Sequence, residues 1–353
     1  MRKALALAER GRGGTSPNPM VGALVVSPDG VIVGRGAHRV AGGPHAEAIA
    51  LADAGEQARG ATLYCTLEPC SHTGRTGPCA PLVSRAGIRR AVIAMEDPNP
   101  MVHGAGLQHL RESGIETIVG VEAEAAARQN AVFLTNVSLG RPYVILKAAV
   151  SLDGRLGAPG ARTKLTGPAA DRRVHRQRAE VDALAVGSGT ILVDDPLLTA
   201  RGVVRERPLT RVVFDRRLRT PPSARVLSPL DAGPVIIVSS VRGAQSGRAL
   251  TAAGARILAL PDDDLAAALG ALFDAGITSL VLEGGGSLHR AALDAGVVDA
   301  IHVYITPRTL GPSGVEWIGE ERIAWEGLRE RRATWLGDDL LVEGVVSDVH
   351  GNH

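Results

Sequence analysis

The segment "TLEPCSHTGRTGPC" (66–79) holds two of the chain's three cysteines. Cys70 and Cys79 are separated by eight residues, and "PHAEA" upstream supplies His45 and Glu47. An imidazole nitrogen and two thiolates are zinc ligands, and three protein ligands leave a fourth tetrahedral position for water, the form used in catalysis. Zinc lowers the pKa of such a water to roughly 7. Glu47 follows His45 by two residues at one helix start, which makes it a poor fourth ligand and a good proton carrier. The same residues admit other readings: a disulfide, a redox pair, or a structural zinc site with His72 as the obvious local fourth ligand. Cys65, in "TLYCTLE", reads as a small buried hydrophobe.

The order His-x-Glu, Pro-Cys, then a second Cys is the signature of zinc-dependent base deaminases, whose carboxylate carries the proton to the departing amine. This chain departs from it in one respect: eight residues separate the cysteines, where two are common.

These side chains need a scaffold, and the pattern supplies one. "RKALALAERG" has helical spacing and ends at Gly11. "MVGALVV" and "VIVGRGAH" read as strands joined by the turn signal "SPDG". "PHAEAIALADAG" reads as a helix with Pro44 before it and Gly55 as its stop, and "GATLYCTLE" as a strand that runs into the cysteine loop. Strand "RRAVIAM", loop "EDPNPMVHGAG", helix "LQHLRESG", strand "IETIVG" and one helix "EAEAAARQNAVFLTNV" complete an α/β sandwich. The pattern breaks at "SLGRP" (138–142) and restarts with "YVILKAAV". We therefore expect two α/β domains, 1–141 and 142–348, followed by a frayed tail, "DVHGNH".

Bulk composition narrows the function. The chain has 353 residues, enough for two cores, with 45% hydrophobic and 22% charged residues. A net charge of +2 and 3% aromatics give little to attract phosphate backbones or stack bases, so no nucleic-acid partner is expected. No apolar run approaches a membrane span, and "MRKALALAERG" lacks the apolar core and cleavage site of a signal peptide. We expect a cytoplasmic protein with no membrane partner, where a disulfide is disfavoured.

In the second half, "TSLVLEGGGSLHRAALDAG" reads as strand, glycine turn and helix. Gly284, Gly285, Gly286 and Ser287 would let the backbone approach a phosphate at a helix N-terminus, although this is not the G-x-G-x-x-G pattern. Such turns are often structural only.

The runs "TSPNPMVGALVV", "PHAEA", "TLEPCSHTGRTGPC", "DPNPMVHGAG", "LKAAVSLDGR", "VGSGTILVDDPLLTAR" and "LEGGGSLHRAAL" together resemble the RibD family, the bifunctional pyrimidine deaminase/reductases of riboflavin biosynthesis. They span nearly the whole chain, and the widened cysteine spacing is the family's own variant. The resemblance implies a cytidine-deaminase-like N-terminal sandwich and a dihydrofolate-reductase-like C-terminal α/β domain. The first would hydrolyse the amine from C2 of 2,5-diamino-6-ribosylamino-4(3H)-pyrimidinone 5′-phosphate; the second would reduce the ribosyl group to ribityl with NADPH. His45, Cys70 and Cys79 become the zinc ligands and Glu47 the proton shuttle. Asn18, in "PNPMVG", would bond the pyrimidine edge; its amide offers donor and acceptor together, although between two prolines it also reads as a turn residue. Ala149, Thr190 and Asp194, with Gly284 to Ser287, match NADPH positions, and Arg178, Leu198, Arg201 and Glu283 match substrate positions. Guanidinium groups suit a sugar phosphate. A homodimer or higher homo-oligomer is implied as well. One departure stands out. Where the family shows a Ser-x-Trp-Ile-Thr-like run, this chain reads "RTKLT", with Lys164 at the tryptophan position and Arg162 or Thr163 at the serine position. A deaminase with a degenerate reductase half is the alternative this departure motivates.

Overall fold

The computed structural model describes residues 1–71, 77–99, 102–205, 207–240, 245–261, 264–318 and 325–346. His72, the expected tail and the expected domain end at 348 lie outside the described residues. Contacts divide the chain into two units, Met1–Leu139 and a second that begins at Gly140.

In the first unit the strands are β1 (Gly22–Val26), β2 (Ile32–Ala37), β3 (Thr62–Cys65), β4 (Arg90–Ile93) and β5 (Glu116–Val119), in the order β2-β1-β3-β4-β5. β1 is antiparallel to β2 and β3, and β3, β4 and β5 run parallel. The helices are α1 (Arg2–Ala8), α2 (Ala46–Ala54), α3 (Cys79–Arg85), α4 (Ala105–Glu112), α5 (Ala123–Gln129) and α6 (Ala131–Leu139). Alanine-rich faces of α2 and α3 pack on Ala23, Val25, Leu63, Cys65, Ala91 and Ile93. Small residues bring α2 almost onto the sheet. A Cβ on Gly36 would sit 1.9 Å from the Ala46 carbonyl oxygen, and one on Gly34 2.1 Å from that of Ala50. Alternate positions of β2 point to one face, so this glycine pair seats the whole helix. The helix expected over 122–137 is broken at Asn130. Its side chain accepts from Met20 N (2.8 Å) and donates to Met20 O (3.0 Å), tying down the loop that carries Asn18.

The second unit contains β6 (Tyr143–Ser151), β7 (Arg155–Gly157), β8 (Ala183–Gly187), β9 (Thr210–Phe214), β10 (Val235–Ser239), β11 (Ala255–Ala259), β12 (Ser279–Glu283), β13 (Ala300–Thr306), β14 (Val315–Glu316), β15 (Arg329–Leu336) and β16 (Asp339–Val345). Its helices are α7 (Pro168–Glu180), α8 (Ser188–Asp194), α9 (Gln245–Ala252), α10 (Leu265–Asp274) and α11 (Gly286–Asp294). Among the described residues nine strands form one sheet, β11-β10-β9-β8-β12-β6-β13-β16-β15, and β7 pairs with β14 apart from it. The strands from β11 to β13 in that order are parallel, and β16 and β15 close one side antiparallel. The central strands are buried along nearly their whole length, which is why they read as unbroken apolar runs. Ligands of open parallel sheets gather beyond the C-terminal strand ends, and the glycine turn after β12 is such an end.

Candidate active sites

His45 ends the loop before α2 in an extended conformation (φ −73°, ψ 157°), and Glu47 lies in the first turn of that helix. Cys70 lies beyond β3, and Cys79 opens α3. The Cys79 amide donates to Cys70 Sγ (3.4 Å), and Ala80 N to Cys70 O (3.0 Å), which holds Cys70 against the start of α3. His45 Nδ1 lies 3.5 Å from Cys70 Sγ and 3.4 Å from Cys79 Sγ, and the three ligand atoms lie within 4.8 Å of one another. Zinc with bonds of about 2.3 Å to sulfur and about 2.05 Å to nitrogen, at the tetrahedral angle, places N and S about 3.5 Å apart. The donor set and its spacing therefore fit zinc. Among the described residues this is the only such cluster of three His, Cys or acidic side chains. The three cysteines are free thiols, and Cys65 is fully buried, as expected of a packing residue.

The electrostatics fit the same ion. A hydrogen bond from the Cys79 thiol, then those of His45 and the Cys79 amide, hold the Cys70 thiol down to about 4 against the cost of partial burial. Cys79 is pushed up by that thiolate and by burial, so one negative charge is shared between two sulfurs. His45 is raised, first by its bond to Cys70. Glu47 is only 3% exposed, and burial pushes its carboxyl up to about 7, the range in which a group both takes and gives a proton near neutrality.

Sequence reasoning missed two neighbours. His38 is buried and stands edge-on to His45, with ring centroids 5.5 Å apart. Its Nδ1 lies 3.0 Å from Pro44 O, which can only accept; that nitrogen carries the proton, and Nε2 accepts from Asn18 Nδ2 at 3.1 Å. Burial lowers the pKa of this ring, which favours its neutral form. Asn18 is thus half-buried with its amide oriented by His38. Glu68 is buried beside the cysteine loop and accepts from the amides of Asp97, Gly104, Gly106 and Leu107 at 2.9–3.1 Å. It anchors Asp97 and the start of α4 to the residues just before Cys70.

In the second unit a cavity of about 660 Å³ opens at the strand ends. Thr190, Asp194, Gly285, Gly286 and Ser287 line it, together with Arg216 and Arg219. Gly284 (φ +91°) stands behind the wall, where a Cβ would lie 2.8 Å from Thr190 Oγ1. A second cavity of about 300 Å³ is lined by Arg178 and Arg201, and it shares Leu156 and Thr163 with the first. Ala149 lines this smaller cavity together with Lys147, two residues before it on β6. Glu283 is bound to Arg178, which lines the cavity, while Leu198 is buried with φ +50° in the segment after α8.

Comparison with known proteins agrees across the whole chain. Residues 1–95 match the cytidine and deoxycytidylate deaminase zinc-binding region, and residues 142–342 match the RibD C-terminal domain. The riboflavin biosynthesis protein RibD of Aquifex aeolicus is 40% identical, over 97% of this chain and 96% of its own length. The chain belongs to the RibD family. The RibD of Bacillus amyloliquefaciens is 39% identical over 99% of this chain and 96% of its own length. The solved Acinetobacter baumannii RibD superimposes with a TM-score of 0.88 at 36% identity, covering 98% of each chain. A Thermotoga maritima diaminohydroxyphosphoribosylaminopyrimidine deaminase/5-amino-6-(5-phosphoribosylamino)uracil reductase gives 0.85 at 32%, over 98% of this chain and 97% of that one. The protein is thus a riboflavin-biosynthesis enzyme with a zinc-dependent deaminase half and an NADPH-dependent reductase half, each of the expected α/β class. A chain with deaminase activity alone is not favoured, since the RibD C-terminal domain matches over residues 142–342. Among the described residues no helix is long and apolar enough to cross a membrane.

Proposed function

We propose that the first domain, 1–141, deaminates C2 of 2,5-diamino-6-ribosylamino-4(3H)-pyrimidinone 5′-phosphate, and that the second, 142–348, reduces the ribosyl group of the product to ribityl. The observation that carries the first half is the His45–Cys70–Cys79 donor triangle beside the buried carboxylate of Glu47. Zinc held by His45, Cys70 and Cys79 supplies the Lewis acidity that makes water a nucleophile at neutral pH. Glu47 takes a proton from the attacking water and hands it to the amine, which leaves as ammonia while the ring carbon gains a carbonyl oxygen. Asn18, oriented by His38, bonds the pyrimidine edge.

In the second domain, NADPH occupies the larger cavity and supplies the hydride that reduces C1′ of the ribosyl group. Thr190, Asp194 and the turn Gly284 to Ser287 hold the cofactor, and Ala149 meets it from the smaller cavity, which shares Leu156 and Thr163 with the larger one. Arg178, Leu198, Arg201 and Glu283 hold the substrate, and the chain's work is to align two bound reactants. The reading places the enzyme in the cytoplasm as a homodimer or higher homo-oligomer. Support for assembly is β15, an edge strand exposed along nearly its whole length with Trp335 70% exposed.

Incubation with the diaminopyrimidine phosphate, with and without NADPH, followed by product mass measurement, tests the proposal. Exchange of an amine for oxygen is expected in both samples, with addition of hydrogen only when NADPH is present. An unchanged substrate mass in both would refute it.

A further inference from the structure

Glu68 lies two residues before Cys70 in the run "TLEPC" and is 3% exposed. Its carboxylate is the meeting point of four backbone N–H groups. Oε2 accepts from Asp97 N and Gly104 N, both at 3.1 Å, and Oε1 from Gly106 N (2.9 Å) and Leu107 N (3.1 Å). The first N–H groups of a helix have no partner inside it. In α4, Ala105 N reaches Val102 O and Gln108 N reaches Gly104 O. The two amides between them are met by Glu68, 38 and 39 residues away in sequence. A carboxylate offers acceptors alone, which suits a cluster made of donors alone.

Two further contacts tighten the same junction. A Cβ on Gly106 would stand 1.9 Å from Pro69 O, the carbonyl that leads into Cys70, so α4 presses directly on that peptide. Glu68 N donates to Met95 O (3.0 Å), which carries the β3–β4 alignment past the strand ends. On the other side, the amides of Cys79 and Ala80 hold Cys70 from α3. One zinc ligand is therefore fixed by two helices, and Glu68 is the side chain that brings in the second. We propose that Glu68 is a positioning residue for the zinc centre. By gathering the N-terminal amides of α4 it sets where Cys70 Sγ stands relative to His45 and Cys79, and so how tightly and in what geometry the metal is held. It acts through the Pro69–Cys70 backbone and not as a ligand. This deepens the zinc-deaminase reading above and rests on it.

The test compares full-length E68Q and E68D with wild type. Gln keeps the side chain's size but turns one acceptor into an NH2 donor that faces amide donors. Zinc affinity, measured by competition with a chromogenic chelator, should weaken about ten- to a hundredfold in E68Q, the usual cost of losing the support behind a metal ligand. After cobalt substitution, the d–d absorption bands of E68Q should shift at saturating metal. Its kcat for ammonia release at saturating zinc should fall about tenfold or more, with KM for the diaminopyrimidine phosphate within about twofold. NADPH oxidation on deaminated substrate should not change, and E68D, which keeps both oxygens, should recover part of the loss. An unshifted cobalt spectrum with wild-type kcat at saturating zinc would overturn the inference, whatever happens to stability, and would leave the deaminase reading intact. If wild type holds zinc but releases no ammonia, that reading falls, and zinc affinity with the cobalt spectrum still decides the inference. If E68Q does not fold, E68D decides: weaker zinc binding with shifted bands supports the inference, and wild-type values overturn it.

Discussion

Arg178 and Glu283 form a two-point ion pair, Nε to Oε1 at 2.8 Å and Nη2 to Oε2 at 2.5 Å, between α7 and the C-terminal end of β12. The carboxylate is 8% exposed, and despite that burial Arg178 and then Lys147 hold it down to about 2. The pair fixes the Arg178 guanidinium in the wall of the smaller cavity, against the C-terminal end of β12.

Breaking this pair from one side strands a buried charge. Arg178→Leu, which leaves the Glu283 carboxylate unpaired, and Glu283→Gln, which leaves the Arg178 guanidinium unpaired, should each cost roughly 3–5 kcal/mol of stability in the second domain. Because the folded pKa of Glu283 lies below its ordinary value, the pair's contribution is present above about pH 4.5 and fades as pH falls toward 2. Urea unfolding of both variants at pH 7 and pH 3 checks this: the gap between wild type and Glu283→Gln should narrow in acid.

Glu47→Gln keeps the size of the side chain and removes its ability to accept a proton. Ammonia release should fall about 10²–10⁴-fold, with zinc content by elemental analysis unchanged. NADPH oxidation on pre-deaminated substrate should also be unchanged. Chelation of zinc should give the same division of activities, because the cluster belongs to the first unit alone.

The glycine turn makes a separate prediction. Gly284 has φ +91°, and a Cβ there meets Thr190 Oγ1 at 2.8 Å. Alanine would be strained by about 1–3 kcal/mol and would push Thr190 into the cofactor cavity. Gly284→Ala should raise KM for NADPH about tenfold or more and leave the deaminase rate alone. Fluorescence titration with NADPH measures it directly.

His289, on α11, couples the same turn to pH. Trp317 Nε1 donates to His289 Nδ1 at 2.8 Å, and an indole N–H can only donate; Nε2 therefore carries the ring's proton, facing Leu282 O at 3.3 Å. Burial lowers the ring's pKa to about 4. The unfolded chain takes this proton near pH 6.5 and the folded chain only near 4, so stability should fall as pH drops through that window, by about 3 kcal/mol in all. His289→Gln should flatten this part of the stability–pH curve, as followed by urea midpoints between pH 7 and pH 4.

Much of the architecture was legible in the residues because local signals and tertiary packing agree. Gly55 does stop α2, "SPDG" does join β1 to β2, and the unbroken apolar runs of the second half are buried parallel strands. The helix over 122–137 failed because the tertiary bonds of Asn130 to Met20 outweigh local propensity there. Ala149 and Lys147 line the smaller cavity together because alternation along β6 decides which face a residue presents, and a motif match carries no such information. His38 and Glu68 gave no signal of their own. Each is a single polar residue whose partners are far away or are backbone groups, so nothing in its spacing marks it.

By itself the sequence determined the chemistry available: a nitrogen and two sulfurs in ligand order, a carboxylate two residues from the first, and glycines where a strand meets a helix. These follow from residue type and short spacing, which a linear chain displays directly. Only the tertiary structure decided how the charges are shared out. It brought His45 to within 3.5 Å of both cysteine sulfurs, and it gave Arg178 to Glu283 and Lys164 to Asp171. Pairing of that kind depends on distances between residues far apart in the chain, and those are set by how helices and strands pack.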